Sequence, residues 1–450
     1  MSLITSDRFS LIIGLGKTGF ACAQYLAQQG QRFQVADSRQ TPPYLAQLQQ
    51  QYPNIMVHLG EFETALCVAA SEIILSPGVS GQEPALQAAV DAGVTIRGDI
   101  DIFAQVARKA GVPIVAITGS NAKSTVTSLV GQMAAEAKVN VAVGGNLGDP
   151  AVSLLDDAVD LYVMELSSFQ LESTTALGAD VACVLNVSPD HMDRYPSLMA
   201  YHQAKHRVFQ ACKSAVVNAD DALTNPLLAD TVKQTRFGLN DPDVGQFGLR
   251  QHQGEAWLCQ GLQTLMPVAE MVMVGRHNVA NALAALALGQ AVNLPMASML
   301  ATLRQFTGLR HRCETVAERG QVSYVNDSKG TNVGATVAAL DGLADTIDGK
   351  IILIAGGVGK GADFSDLVAP LVQCARAVIL MGQDGGLIAQ ALGQQVPNII
   401  VDDMAQAVDL AHAHAMPGDL VLLSPACASF DAYSGFEARG DDFTQLVQAL

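Results

Sequence analysis

Val112-Pro113-Ile114-Val115-Ala116-Ile117-Thr118-Gly119-Ser120-Asn121-Ala122-Lys123-Ser124-Thr125 is the stretch on which the fold turns. Its apolar, largely β-branched half predicts a buried parallel strand, and its small polar half a tight loop. Over residues 125–137 (TVTSLVGQMAAEA) apolar residues recur at helical spacing. Strand, tight loop, Lys-Ser and helix together describe a phosphate cradle. In such a cradle backbone N–H groups and the positive helix end face the phosphates. Lys123 neutralises the outermost ones, and the Ser124 hydroxyl can ligate magnesium. The pattern is incomplete, however. Counting back from Lys123, the two glycines of the usual loop fall on Ile117 and Ala122, and only Gly119 is present. An ordinary strand-to-helix turn is the plain alternative.

The lobe around this stretch, residues 103–309, continues through Gly144-Gly145-Asn146-Leu147-Gly148 to a strand over 161–164 that ends in Glu165. An acid at the end of a parallel strand beside a phosphate loop suits a magnesium ligand. A strand over 181–187 runs into Ser188-Pro189-Asp190-His191-Met192-Asp193-Arg194-Tyr195, where His191 stands among two acids and an arginine. Packing and ligation are both open for it. Tyr201 and Lys205, four apart in the next helix, face one way; a lysine there is by default a solvated charge. Residues 237–253 read as a loop or hairpin. Asn278 and Asn281 open an Ala/Leu-rich helix, where capping is expected and contact with an adenine edge is the alternative.

On the N-terminal side, residues 1–102 form a lobe of their own. A strand over 10–13 enters Gly14-Leu15-Gly16-Lys17-Thr18-Gly19, and a helix and a second strand ending at Asp37 follow. This G-x-G-x-x-G unit with its trailing acid ordinarily suggests a dinucleotide. Glu72-Ile73-Ile74-Leu75-Ser76-Pro77-Gly78 adds a further strand and turn, and the crevice at these strand ends suits a nucleotide diphosphate or a sugar nucleotide. Beyond a hinge at Gly308-Leu309-Arg310-His311-Arg312, residues 310–450 pair strands with glycine- or serine-rich turns. These are Asn326-Asp327-Ser328-Lys329-Gly330-Thr331-Asn332, Gly356-Gly357-Val358-Gly359-Lys360 and Ser424-Pro425-Ala426-Cys427-Ala428-Ser429-Phe430-Asp431. The expectation is a second doubly wound sheet with a crevice at its C-terminal edge.

The chain's bulk properties narrow the function. At 450 residues it needs more than one core, and 49% hydrophobic content with 40 glycines and 5% aromatics suits α/β layers. A net charge of -17 argues against a nucleic-acid or acidic-membrane surface. The eight cysteines are scattered, without C-x-x-C pairs or metal-ligand spacing, and read as buried thiols in a reducing compartment. The stretch MSLITSDRFS lacks a signal-peptide shape, and no apolar run approaches a membrane span. A cytoplasmic protein is expected, with no nucleic-acid or membrane partner, as a monomer. Lysines and arginines crowd the loops of all three lobes, which favours ATP-dependent joining of two anionic molecules over hydride transfer.

At this point the chain resembles the Mur ligases over essentially its whole length. The resemblance rests on TGSNAKST (118–125), GGNLG (144–148), ELSSFQL (165–171), NVSPDHMDRY (186–195), GRHNVANALAA (275–285), GLRHR (308–312), NDSKGTN (326–332) and LLSPACASFD…FEARG (422–440). The HMDRY and SPACASFD segments are similar to the D-glutamate-adding branch. The resemblance implies three α/β domains: a Rossmann-like lobe for the UDP-sugar (1–102), a central P-loop ATPase-like lobe with a mostly parallel sheet (103–309), and a doubly wound lobe that binds the incoming amino acid and closes on ATP (310–450). It implies an amide-forming ligase of peptidoglycan precursor synthesis, and so of cell-wall biogenesis, cell shape and division. The substrates would be ATP, UDP-N-acetylmuramoyl-L-alanine and D-glutamate, with Mg2+.

Residue by residue, the resemblance places Gly119, Ser120, Asn121, Ala122, Lys123, Ser124, Thr125, Asn278, Asn281, His311, Arg312 and Asp327 around the nucleotide. Ser124, Glu165, His191 and a carbamylated Lys205 would serve as metal ligands, with Lys123, Glu165, His191 and Lys205 as catalytic residues. Lys17, Thr18, Asp37, Ser38, Arg39, Gly78 and Asn146 would bind the UDP-sugar. Lys329, Thr331, Lys360, Ser429 and Phe436 would bind D-glutamate, and Tyr201 would belong with the substrate residues. Two departures stand out. Ala122 replaces a usual glycine and is expected in a right-handed turn entering the helix, where it costs nothing. Val358 replaces an acid common in the GGxxK turn. The rival readings are another amino-acid ligase of the superfamily, an NAD-dependent oxidoreductase and a non-catalytic nucleotide sensor.

Overall fold

In the computed structural model, which describes residues 8–175 and 177–450, the apolar runs become three separate sheets. Residues 1–7, part of the first lobe and of the N-terminal stretch read above, lie outside the described residues. The first sheet holds β1 (Ser10–Ile13), β2 (Phe33–Asp37), β3 (Val57–Leu59), β4 (Glu72–Leu75) and β5 (Thr95–Arg97), all parallel, in the order β3-β2-β1-β4-β5. The chain's path reverses between β1 and β4, so the loops after these strands part there and leave a crevice. Ser76 Oγ, just after β4, donates to the Gly14 carbonyl at 2.9 Å and ties the two lips together.

The second sheet comprises β6 (Ile114–Thr118), β7 (Val141–Gly145), β8 (Leu161–Glu165), β9 (Val181–Val184), β10 (Ser214–Asn218), β11 (Lys233–Phe237), β12 (Phe247–His252), β13 (Glu255–Gln260) and β14 (Gln263–Pro267). Their order is β14-β13-β12-β11-β10-β9-β6-β8-β7. β6 therefore lies deep in the sheet, between β8 and β9, and its alternate residues feed two cores. Ile114 and Ala116 join one, Val115 and Ile117 the other. A strand covered on both faces has no polar alternation, which is why it reads as a continuous apolar run. The helix Lys123–Glu136 lays Val126, Leu129, Val130 and Met133 on the second of these cores, each burial contributing roughly 1.5–3 kcal/mol.

Two details depart from the sequence reading. The strand expected over 181–187 ends at Val184, because Leu185 and Asn186 leave the sheet to bond with Thr118 and the phosphate loop, and Val187 N–H donates to Asp221. The 237–253 segment closes a parallel β11–β12 contact and then opens an antiparallel meander, β12-β13-β14.

The third sheet contains β15 (Glu314–Arg319), β16 (Val322–Asn326), β17 (Ile351–Gly356), β18 (Ala375–Met381), β19 (Asn398–Ile400) and β20 (Leu420–Leu423), ordered β15-β16-β20-β17-β18-β19. Only the edge strand β15 is antiparallel to its neighbour. This lobe docks on the central one, with the helix Val333–Ala344 against the helix Arg276–Ala291. Among the described residues no helix is long and apolar enough to cross a membrane.

Candidate active site

The phosphate loop is held open by residues that just miss being strand. Ser120 N–H donates to the Asn186 carbonyl at 3.0 Å, and Asn121 N–H to Asn186 Oδ1 at 2.8 Å. Ser120 Oγ reaches the Ser188 carbonyl at 2.9 Å. Ala122 adopts φ 65° and ψ -3° at the start of the helix Lys123–Glu136, the left-handed region. The expectation of a right-handed turn is therefore wrong. The position is one for glycine, and alanine holds it at a cost of about 1 kcal/mol or more. Lys123 Nζ folds back onto the Gly119 and Ser120 carbonyls at 2.8 and 2.9 Å, and burial pulls its amine below the ordinary lysine range.

Lys205 is 1% exposed, so the default of a solvated charge fails. Its Nζ donates to the same Gly119 carbonyl at 2.8 Å and lies 4.2 Å from the centre of the Tyr201 ring, confirming that these two residues share a face. Burial, reinforced by the charge of Lys123, depresses the amine well below its usual range. A depressed pKa leaves more of the nucleophilic free base, the form that adds CO2.

Glu165 ends β8 almost fully buried. Asn146 Nδ2 donates to its Oε1 at 2.6 Å, while Oε2 is buried with no hydrogen-bond partner. A carboxylate oxygen left bare inside a protein is expensive unless something ionic meets it. His191, at φ 58°, packs edge-on to Phe169 with centroids 4.8 Å apart, and burial lowers its pKa, which favours the neutral ligating imidazole. Among the described residues no three His, Cys, Asp or Glu side chains converge on one point. A Mg2+ ion, which takes one or two carboxylates and completes its shell with phosphates and water, would meet the bare Glu165 Oε2.

The third lobe reaches in with cations. Arg312 donates to Ser124 Oγ at 2.6 Å. Lys360 pairs with Asp190 at 2.8 Å; burial works against the Asp190 charge, but Lys360, helped by His191 and Lys123, holds the carboxyl below its usual range. Asn332 Nδ2 bridges Asn121 Oδ1 (3.0 Å) and Asp190 Oδ2 (3.2 Å). Lys329 Nζ sits 4.1 Å from the Phe436 ring centre, and burial, with Arg312 nearby, lowers its pKa to about 8. Thr331 N–H turns back to the Lys329 carbonyl at 2.8 Å, and Ser429 is buried in the turn after β20. Asp327 accepts from Ser424 Oγ at 2.7 Å, and burial pushes its pKa up to about 6.

Two cavities lie along the central lobe, and the phosphate loop walls the first of them. One, of about 580 Å³, lies between the central and third lobes and is lined by Asn121, Ala122, Thr125, Asn278, Asn281, Arg312, Asp327 and Lys329. Capping is not the role of the two asparagines. Gly275 precedes the helix, and Asn278 and Asn281 stand inside it on the cavity wall, linked by a 3.2 Å bond. His311 does not line this wall; it lies behind it, accepting from Asn326 Nδ2 at 3.1 Å. The other cavity, of about 560 Å³, lies between the first and central lobes. Lys17, Thr18, Asp37, Ser38, Arg39, Gly78 and Asn146 all line it. Asp37 accepts from Leu15 N–H at 2.6 Å and from Arg39 Nε and NH2 at 2.8 and 2.7 Å. Burial opposes that charge, but the Arg39 bonds outweigh it and hold the carboxyl low.

Sequence reasoning passed over Asn186, Asp190 and Asn332, which hold the loop and join the lobes, and over Phe169 and Gln170, which complete the second cavity. All five lie inside or beside segments quoted above, so position within those segments was the available signal.

Known proteins match this arrangement along the whole chain. Residues 8–98 match the Mur ligase MurD-like N-terminal domain, 117–289 the Mur ligase middle domain, and 311–427 the Mur ligase glutamate ligase domain. The chain is 55% identical to the UDP-N-acetylmuramoylalanine--D-glutamate ligase of Pseudomonas fluorescens and 52% identical to that of Marinobacter nauticus, over all of this chain and all of each relative. Its fold is that of the UDP-N-acetylmuramate-alanine ligase of Thermotoga maritima (TM-score 0.60, 17% identity, 98% of this chain and 99% of that one). A pseudomurein peptide ligase type C from Methanothermus fervidus fits equally well (TM-score 0.60, 17% identity, 98% and 100%). With three domain matches in order and full-length relatives at this identity, the chain belongs to the Mur ligases, in the family of the UDP-N-acetylmuramoylalanine--D-glutamate ligases.

Proposed function

We propose that the protein joins D-glutamate to UDP-N-acetylmuramoyl-L-alanine at the expense of ATP. The observation that supports this reading is the pair of cavities, each roomy enough for a nucleotide, one at the phosphate loop and one between the first two lobes, with Asn146 on the wall of the second bonded to Glu165, whose charge acts on Lys123 and Arg312. Residues 1–102 and the loops 144–150 and 167–170 hold the sugar nucleotide, residues 103–309 hold ATP, and residues 310–450 bring D-glutamate. The alanyl carboxylate attacks the ATP γ-phosphorus, releasing ADP and forming an acyl phosphate. The amine of D-glutamate then attacks the carbonyl carbon and phosphate leaves. Phosphorylation is needed because a carboxylate has no tolerable leaving group.

The chain's residues do this work by position and charge. Lys123, released from its two carbonyls, swings onto the terminal phosphates, and Arg312 neutralises the charge that builds beside Ser124. Lys360 and Lys329 receive the two carboxylates of D-glutamate, with Thr331, Ser429 and Phe436 closing that pocket. Ser124 and Glu165, through its bare oxygen, would hold one Mg2+ beside the phosphates, and His191 would hold a second, with the carbamate of Lys205 as a further ligand; the ions would shield the phosphates from the incoming carboxylate. The third lobe, packed over the loop, keeps water from the acyl phosphate. The reaction belongs to the cytoplasm, where its nucleotide substrates are.

The test is ATP-dependent phosphate release with UDP-N-acetylmuramoyl-L-alanine and, in turn, D-glutamate, L-glutamate, L-lysine and meso-diaminopimelate. Release with D-glutamate alone is expected. ATP binding without release for any of the four would overturn the reading in favour of a nucleotide sensor.

A further inference from the structure

The loop that walls the sugar-nucleotide cavity also grips the carboxylate at the reaction centre. Asn146 lines that cavity, and its Nδ2 donates to Glu165 Oε1 at 2.6 Å while its own N–H donates to the Glu165 carbonyl at 2.8 Å. Gly145, at φ 101°, runs so close to that carbonyl that a Cβ would stand 2.5 Å from it. The end of β8 is thus clasped from two directions. The terminal torsion of a glutamate is broad and nearly two-fold, so an unclasped carboxylate exchanges its oxygens freely. A short bond from an amide to an ionised oxygen removes that freedom. It leaves Oε2, buried and unpartnered, as the one oxygen available for a cation.

We propose that Asn146 is a positioning residue for Glu165. It presents Oε2 to the cation, and, because the same side chain walls the cavity, it links sugar-nucleotide binding to cation loading. This rests on the ATP-ligase reading of the site. Asn146 Nδ2 carries a second hydrogen for the sugar nucleotide. A ligand that takes it stiffens the amide and with it the carboxylate, so each ligand tightens the other by the same factor.

The experiment titrates Mn2+ by electron paramagnetic resonance into protein saturated with ADP, with and without UDP-N-acetylmuramoyl-L-alanine, for the parent and Asn146→Ala. In the parent the sugar nucleotide should tighten Mn2+ binding about fivefold or more. In Asn146→Ala, Mn2+ affinity should fall about 10–100-fold, as when an outer-shell partner of a metal ligand is removed. The coupling should vanish, with metal-free ADP affinity unchanged. Equal Mn2+ affinity in both proteins, with only sugar-nucleotide binding weakened, would reduce Asn146 to a cavity wall and overturn the proposal. Absence of coupling in the parent would overturn it without any variant. Absence of ADP-dependent Mn2+ binding in the parent would overturn the ligase reading and this proposal together, which sets the two failures apart.

Discussion

Lowering the pH from 7 to 5 should loosen this protein through one histidine. His277 lies in the first turn of the helix Arg276–Ala291, against the third lobe, where a Cβ at Gly342 would stand 2.2 Å from its Nδ1. That Nδ1 is buried without a partner, and burial pulls the pKa down to about 4. Unfolded or undocked, the ring titrates near 6.5. The loose state therefore binds more protons between these values, and stability is fully present above about pH 6.5 and falls as the pH drops toward 4. Linkage puts the loss at about 0.2 kcal/mol at pH 7 and about 2 kcal/mol at pH 5. The difference corresponds to a fall of about 4–8 °C in Tm for a domain of this size. Calorimetry at the two pH values should show this excess loss in the parent and not in His277→Leu, which keeps the volume and removes the titration. An equal loss in both proteins, or a ring titration near 6.5 by NMR in the folded parent, would refute the reasoning.

Other expectations follow from the same geometry. Lys123→Ala should cut turnover by at least about 100-fold, as when a charge-stabilising donor is removed, while leaving UDP-N-acetylmuramoyl-L-alanine binding within about twofold by calorimetry. Loss of both together would sink the division of labour between the cavities. Lys360→Ala should raise the KM for D-glutamate about 10–100-fold, the value of a hydrogen bond to a charged group, with the KM for the sugar nucleotide little changed. Ala122→Val places a β-branched residue at φ 65° and should lower the Tm by about 2–6 °C in scanning calorimetry, and an unchanged Tm would contradict the left-handed turn. Arg439 is buried and gives its guanidinium to the Ser328 and Cys427 carbonyls at 2.8 and 3.1 Å, with Asp431 and Asp327 acting on it only from a distance. Arg439→Met should therefore uncouple the turns it ties, seen as loss of D-glutamate binding before loss of ADP binding.

The three-sheet plan was legible because parallel strands covered on both faces write themselves as apolar runs with small turns after them. The sugar-nucleotide wall was equally readable, since its side chains sit in the turns after β1, β2, β4 and β7, where such crevices open. The conformation of Ala122 was not. Backbone handedness at one residue depends on how Asn186 holds the loop from a distant strand end. Burial of Lys205 was hidden for a similar reason: the Gly119 carbonyl that receives its amine belongs to a loop 86 residues earlier in the chain. The same holds for Asp190. One of the two acids in its segment meets Lys360, 170 residues away, and only the docking of the third lobe selects it.

The cavity between the first two lobes has a practical consequence for recombining such proteins. Part of its wall belongs to the first sheet, but Gly145, Asn146, Gly148, Pro150, Ser167, Phe169 and Gln170 come from the second, and Lys17 crosses the seam to the Gly148 carbonyl at 2.8 Å. A chimera cut between the lobes would inherit a pocket with mismatched halves. The transplantable module is therefore the first lobe together with segments 144–150 and 167–170, a unit bounded by a shared surface and interrupted in sequence. A graft that carries those segments should keep the donor's sugar-nucleotide preference. One that stops at the linker should lose it, and would also split the apolar cluster that the first two sheets share.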